Sequence, residues 1–186
     1  TDPPPGLLMN KAFQSGFAHL ATFGLTFEAW CYHTQLHEVI HLARPFPETR
    51  IVLDHLGGPL GVGPYSDQAA AAFLDWDRAM TELAAVDNVV AKLGGLAMEV
   101  NGFNWHQLPA PPTSDDLLKG CAHYYERTIE LFGVDRCLFE SNFPVDKISC
   151  SYNTLWNAFK KLTRDYSASD KAKLFHDNAQ RIYRIA

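Results

Sequence analysis

Three short apolar runs in this chain each lead to a polar side chain that could do chemistry. His55 follows residues 51–54, Lys92 lies within residues 89–93, and Asn142 follows residues 137–141. Runs of this kind are typical of parallel strands buried on both faces, and in α/β proteins the chemistry sits at their carboxyl ends. We therefore expect the imidazole, the ammonium and the carboxamide to converge on one site. Taken singly, each could instead be structural: a core histidine, a surface lysine and a turn-forming asparagine.

Two carboxylates could serve the same site. Glu140 lies two residues before Asn142 on the same strand, so the period of two directs both toward one face, with Glu140 one layer deeper. Glu140 could be a general acid or base, or it could be a structural ion pair with Lys92. Asp146 could lean over the mouth of the site. The predicted catalytic residues are thus His55, Glu140 and Asn142.

Substrate contacts are expected from strand ends and from loops, which form the pocket in barrel folds. His33 ends the first predicted strand, and Trp105 lies in a long loop rich in aromatic, Gly and Pro residues. Lys92 could polarise a carbonyl or neutralise a substrate carboxylate. With Asp146, these four residues complete the predicted site.

Composition limits the classes of function. A chain of 186 residues, 47% hydrophobic and 20% charged, suits one domain over residues 1–186. The net charge of −5 and the lack of long basic runs argue against nucleic-acid binding and favour a small-molecule substrate. No apolar stretch approaches the ~20 residues of a membrane span, and residues 1–5 lack the pattern of a secretory signal. A cytoplasmic protein is expected, with its four cysteines reduced.

The order of elements follows from hydrophobic periodicity. Cys31 and Cys137 fall inside predicted strands. The alternation predicts a parallel sheet with right-handed helical crossovers. Strands are predicted over 25–32, 50–55, 89–93 and 137–140, and helices over 11–22, 35–43, 68–85, 113–132, 153–162 and 169–184.

The segment His37-Glu38-Val39-Ile40-His41 fits the HExxH pattern of zinc peptidases. A helical projection, however, puts both histidines on the flank of an apolar arc and Glu38 opposite it, and Pro45 ends the helix soon afterwards. We therefore favour a solvated helix face, and a zinc peptidase is the third alternative for function.

Four segments together resemble the carboxyl-terminal part of the amidohydrolase superfamily, in its amidohydrolase 2 branch, which includes pyrone-dicarboxylate lactonase and several decarboxylases. They are residues 51–59, 89–95, 136–144 and 175–183. The resemblance extends from about Phe13 to the end of the chain. It implies a (β/α)8 barrel of the TIM type, of which this chain supplies the last four β/α units and the closing helices.

The resemblance also implies a function, namely a hydrolase that cleaves a C–O or C–N bond of a small, carboxylated lactone, ester or amide. His55 matches the family's strand-six histidine, which positions or activates water. Asn142 stands where the family has an aspartate, and the His-x-His pair usual in the first strand does not occur in the sequence. A carboxamide is a poor base and a poor metal ligand, so we expect no cofactor and no tightly bound metal, with zinc as the open alternative.

These departures support a second alternative, a catalytically incomplete barrel remnant that binds a ligand or a partner. Four strands of a barrel would also leave two unpaired edges. We accordingly expect a homo-oligomer or a fragment of a longer chain.

Overall fold

The computed structural model describes residues 5–185. In that range four parallel strands form one sheet in chain order: β1, Phe27–Ala29; β2, Ile51–Leu53; β3, Val89–Leu93; and β4, Cys137–Phe139. Each strand pairs with the next one in parallel register. The predicted parallel α/β fold is therefore confirmed.

Helices connect and cover the strands. They are α1, Lys11–Phe17; α2, His19–Thr22; α3, Leu36–Ala43; α4, Ala69–Ala84; α5, Ser114–Phe132; α6, Tyr152–Leu162; α7, Ala168–Ala172; and α8, Asn178–Tyr183. The start of α5 shows why the sequence located it well. The Thr113 side chain accepts a hydrogen bond from the Asp116 amide, and the Asp116 carboxylate accepts one from the Thr113 amide.

Several predicted bounds are wrong, each for a local reason. β2 stops at Leu53 because His55 and Leu56 have positive φ angles of 53° and 54°, which end the extended backbone. With so short a partner, β1 pairs over three residues only, and Cys31 lies beyond it. The helix predicted over 11–22 divides after Phe17, close to Gly16, a residue that weakens helices. The helix predicted over 169–184 is interrupted by a π-helical turn at Lys173–Asp177.

The two faces of the sheet have different cover. One face carries side chains such as Leu53 and Ala91 into the main core beneath the helices. The other face is apolar only away from the carboxyl ends of the strands, where Val52, Val90 and Leu138 pack against Ile182 of α8. Successive side chains of a strand point to opposite faces of the sheet, so residues two positions apart share a face. The residues two positions after Val52, Val90 and Leu138 therefore lie on this second face, at the carboxyl ends of the strands. They are Asp54, Lys92 and Glu140.

Asn178 fastens α8 beneath β4. Its Nδ2 donates hydrogen bonds to the carbonyl oxygens of Val134 and Cys137 at 2.7 and 2.8 Å. At the other end of the helix the Tyr183 hydroxyl donates to Glu28 of β1 at 2.8 Å. The closing helix thus links the first and last strands.

All four cysteines are free and buried. Burial raises the pKa of Cys31, Cys121 and Cys137 to about 12 and that of Cys150 to about 11. They act as protonated, small apolar side chains. Within residues 5–185 no helix combines the length and the apolar character that crossing a bilayer requires.

Replacing Asn178 by Ala should lower the free energy of unfolding by about 2 kcal/mol, because two backbone carbonyls at the base of β4 lose their donor. Urea denaturation measures the change. The control is Asn157→Ala, an exposed position of α6 that should stay within about 0.5 kcal/mol of the wild type. Equal effects of the two substitutions would contradict the anchoring role of Asn178.

Candidate active site at the carboxyl ends of the strands

The closest polar contact at this edge of the sheet joins His55 and Glu140. Glu140 Oε1 lies 2.5 Å from His55 Nδ1 and also accepts a hydrogen bond from the His55 backbone amide at 3.3 Å. Both side chains are 16% exposed. A carboxylate oxygen only accepts, so Nδ1 of a neutral imidazole must carry the proton, and Nε2 keeps its lone pair. The pair therefore presents a histidine that can take up a proton.

Lys92 lies beside this pair within a group of carboxylates. Its Nζ is 2.6 Å from Glu28 Oε2, 2.9 Å from Asp54 Oδ1 and 3.8 Å from Glu140 Oε2. Burial alone would lower the pKa of Lys92, but hydrogen bonds to Glu28 and Asp54, with the charge of Glu140, outweigh burial and raise it. The ammonium therefore stays charged and lies among three carboxylates.

This arrangement changes the expected role of Lys92. An ammonium with three carboxylates around it is poorly placed to neutralise a fourth from a substrate. Oε1 of Glu140 meets the histidine and Oε2 faces the lysine, so the expected ion pair with Lys92 is present, and a role for Glu140 as a general acid or base stays a prediction. Glu140 is thus the residue that joins the imidazole to the charged group on the neighbouring strands.

Two glycines at the end of β3 make room for the pair. A Cβ on Gly95 would lie 2.5 Å from His55 Nδ1, and one on Gly94 would strike the Glu140 backbone carbonyl. Gly95 also has a φ of +76°. The Gly94-Gly95 dipeptide is therefore required by close approach as well as by backbone conformation.

His55 reaches Glu140 from a left-handed backbone conformation, which costs about 1–2 kcal/mol in a residue with a side chain. Strain of this kind often marks functional positions. The Trp30 ring meets the imidazole edge to face, with ring centroids 4.7 Å apart, and is 46% exposed. Sequence reasoning missed Trp30, because the strand predicted over 25–32 contains it, whereas β1 ends at Ala29 and Trp30 follows it directly.

Asn142 and Asp146 pair with each other below the surface. Asn142 Nδ2 donates to Asp146 Oδ1 at 2.7 Å, and the Ala97 amide donates to Oδ2 at 3.3 Å. Asp146 is fully buried, so the expectation that it leans over the mouth is wrong. Burial raises the pKa of Asp146 to about 6 even though both hydrogen bonds oppose the rise. The nearby charge of Glu140 acts in the same direction as burial and raises it further.

His33 and Trp105 do not join the group. His33 is 5% exposed, and its Nδ1 accepts a hydrogen bond from the Leu60 amide at 3.2 Å. Burial lowers the pKa of His33, so it is a neutral support for the loop after β2. Trp105 stacks on Phe103 at 4.5 Å and lies against Gly120 of α5, which makes it a core residue. Both side chains therefore lie apart from the contact between His55 and Glu140, and their contact with a substrate stays a prediction.

The HExxH segment does not form a peptidase site either. His37 and His41 are exposed as expected, but Glu38 is 4% exposed, which corrects its placement on the solvated face. Its carboxylate accepts hydrogen bonds from the backbone amides of Gly6 and Leu8. The chain before α1 covers this glutamate, so it cannot act as a base on water.

A metal ion has no suitable ligand group in the part of the chain that the structure describes. Residues 5–185 contain no cluster of three or more His, Cys, Asp or Glu side chains arranged for a metal. The carboxylates nearest His55 surround the Lys92 ammonium, whose charge opposes a second cation. The donor set of the described residues therefore does not fit a metal centre.

Comparison with known proteins connects this geometry to a family. A family model described as amidohydrolase matches residues 2–185. The chain is 40% identical over 181 residues to an uncharacterised protein of Sinorhizobium fredii and 31% identical over 182 residues to an L-fucono-1,5-lactonase of Burkholderia ambifaria. These matches cover 97% and 96% of this chain but 54% and 55% of those proteins. The chain thus spans about half the length of the curated relatives it matches.

A solved structure shows the same fold. It is an amidohydrolase from Burkholderia multivorans with bound zinc, 24% identical, with a TM-score of 0.83 over 97% of this chain and 60% of that one. The four parallel β/α units are therefore part of a (β/α)8 barrel.

Replacing Gly95 by Ala should destabilise the protein by about 1–3 kcal/mol beyond the cost of its left-handed backbone, because the added methyl meets the His55 ring. Gly63→Ala is the control, since Gly63 has a φ of +58° and nothing within 4 Å of an added Cβ. It should cost about 1–2 kcal/mol. Equal losses in urea denaturation would refute a steric role for Gly95.

Asp146 should make stability fall as pH rises. In the folded state Asp146 keeps its proton up to a pKa of about 6, whereas the ordinary pKa of an aspartate is 3.8, so the folded state binds more protons between these values. The free energy of unfolding should fall by about 3 kcal/mol across this window relative to Asp146→Asn, which does not titrate. Urea titrations at several pH values test this. A difference between wild type and Asp146→Asn that stays constant with pH would contradict the prediction.

Proposed function

The chain belongs to the amidohydrolase family, and from this premise we propose that it carries the proton-transfer residues of a lactone hydrolase. The contact between His55 and Glu140 is the observation that supports this most directly. It leaves Nε2 of the imidazole free to act on water at the carboxyl edge of the sheet, where barrel enzymes bind substrate. The relative named L-fucono-1,5-lactonase supports a lactone as the substrate class.

The chemistry follows from this geometry. His55 Nε2 takes a proton from water as the water oxygen forms a bond to the lactone carbonyl carbon. Glu140 stabilises the imidazolium that results, because its carboxylate already accepts the Nδ1 proton. The ring C–O bond then breaks, and Nε2 returns the proton to the departing alkoxide. The product is the open hydroxy acid, and the imidazole is neutral again.

The charges around the site favour an uncharged lactone over the carboxylated molecule expected from the sequence. Glu28, Asp54 and Glu140 surround one ammonium, so this edge of the sheet carries an excess of negative charge. A substrate carboxylate would be repelled by that excess. We propose a neutral, hydroxylated lactone.

The proposed reaction uses no cofactor, and no step passes through a metal, because the described residues do not fit one. Asn142 holds Asp146, and Lys92 holds Glu140, so both act as positioning residues rather than as direct contacts to the substrate. We also propose that the protein is cytoplasmic, that its partner is a small molecule, and that it does not bind nucleic acid.

We further propose that the two edge strands of the sheet have pairing partners. Within residues 5–185, β1 and β4 each have one neighbouring strand. We propose that these edges pair with a second copy of the chain or with another part of a longer chain, as expected for a barrel that is half present.

The test is hydrolysis of L-fucono-1,5-lactone by the 186-residue chain, followed as acid release. His55→Ala should reduce kcat by about 10²–10⁴-fold, and Glu140→Gln should give a smaller loss, because the histidine keeps its ring but loses the carboxylate. His37→Ala is the matched control, since this exposed histidine lies outside the site, and its activity should equal that of the wild type.

Three results would count against the proposal. Equal losses for His37→Ala and His55→Ala would show that the effect is general rather than catalytic. A loss confined to His37→Ala would show that His55 does not carry the activity. No turnover by the wild type would favour the catalytically incomplete remnant.

A further inference from the structure

Trp30 is an exposed aromatic side chain beside His55, and it takes no part in the proposed proton transfer. It follows β1 directly, and 46% of its surface is exposed. Its ring lies against the His55 imidazole, with centroids 4.7 Å apart and an angle of 71° between the ring planes. A molecule that packs on the exposed part of the indole therefore lies next to the histidine.

The indole is held in position by the turn that carries His55. A Cβ on Gly58 would lie 3.1 Å from Cη2 and Cζ3 of Trp30, so the end of the indole packs on this glycine. The Gly58 amide donates to the His55 carbonyl at 2.9 Å, and the His33 amide donates to the Gly58 carbonyl at 3.2 Å. The Tyr32 ring meets Trp30 edge to face at 5.6 Å. The exposed part of the indole is therefore a preformed apolar surface.

Glu28 supplies hydrogen-bond acceptors on the same face of the sheet. It lies two residues before Trp30, so the alternation along β1 directs both side chains to one face. Its Oε1 accepts from the Tyr183 hydroxyl at 2.8 Å, and its Oε2 accepts from Lys92 Nζ at 2.6 Å. The side chain is 38% exposed, and each carboxylate oxygen can accept two hydrogen bonds. Glu28 is thus fixed in place and still able to accept from a ligand.

An aromatic surface next to a charged acceptor suits a saturated ring that carries hydroxyl groups. The faces of such a ring consist of C–H groups, which can pack on the electron-rich face of an indole. Its hydroxyl groups project from the rim, where one can donate to a carboxylate. A ligand with a carboxylate of its own would be repelled by Glu28, Asp54 and Glu140. The two side chains together therefore favour a neutral, hydroxylated ring.

We propose that Trp30 and Glu28 are the residues that recognise the substrate ring. One face of a hydroxylated six-membered lactone packs on the indole, a rim hydroxyl donates to Glu28, and the carbonyl carbon lies beside His55. Trp30 and Glu28 determine specificity in this arrangement and transfer no proton. The inference rests on the proposed function, because it names the residues that hold the substrate of that reaction.

The probe is 1,5-anhydro-L-fucitol, a cyclic ether that keeps the hydroxylated six-membered ring of the lactone but has no ester bond to hydrolyse. Binding is followed by NMR titration of the 186-residue chain at the amide of Gly95, which lies beside the His55 ring. Tetrahydropyran has the same ring without hydroxyl groups. It should bind at least about fivefold more weakly than the hydroxylated ether, because it has no donor for Glu28.

Three variants separate the two contacts. Trp30→Ala should weaken binding of the hydroxylated ether at least about fivefold, and Trp30→Phe should restore part of the loss. Phe23→Ala is the matched control, because Phe23 is an exposed aromatic residue before β1, at the opposite end of that strand, and binding should equal that of the wild type. Glu28→Gln replaces a charged acceptor by a neutral one, so it should reduce the preference for the hydroxylated ether over tetrahydropyran.

Turnover gives a second readout, in which Trp30→Ala should raise KM for L-fucono-1,5-lactone more than it lowers kcat. Binding of the ether without turnover of the lactone would count against the hydrolase and support the recognition surface. Turnover without saturable binding of the ether would do the reverse and overturn this inference. The inference is also overturned if Trp30→Ala binds the ether as well as Phe23→Ala does, or if Glu28→Gln keeps the full preference over tetrahydropyran.

Discussion

The carboxylate of Glu140 is the group on which the arrangement of this edge of the sheet depends. One oxygen accepts from the His55 ring and backbone, and the other faces the Lys92 ammonium. In this way a residue that follows β4 connects groups from β2 and β3. The histidine has a defined tautomer because of this contact, and the ammonium remains charged because three carboxylates surround it. Positions 94 and 95 require glycine, because Glu140 and His55 occupy the space that a Cβ would need.

Other residues on the same face of the sheet as Glu140 support its carboxylate. Below the charged layer, Val52, Val90 and Leu138 form an apolar layer that Ile182 covers. The same closing helix sends the Tyr183 hydroxyl to Glu28, which in turn holds Lys92. The helix therefore keeps water from the apolar layer and orders the charged layer above it. A barrel fold separates its stabilising end from its reactive end in the same way.

The sequence was informative where one residue decides the local structure. Continuous apolar runs predicted parallel strands, and the period of two directed Glu140 toward the predicted site, where it contacts His55. It was less informative where segments distant in the chain meet. The burial of Glu38 depends on backbone amides about thirty residues away, at Gly6 and Leu8.

Loop conformation accounts for the other differences. Asn142 pairs with Asp146 from a backbone φ of 51°, which no spacing rule predicts. Trp105 turns inward because Gly120 on α5 leaves room for its ring, so an aromatic residue in a long loop became part of the core. The tautomer of His55 is the most direct measure of the central contact. Long-range proton–nitrogen NMR on the neutral form of the ring, with the ring signals assigned from the His55→Ala spectrum, should show a proton on Nδ1 and a bare Nε2, and a proton on Nε2 with a bare Nδ1 would contradict the role given to Glu140.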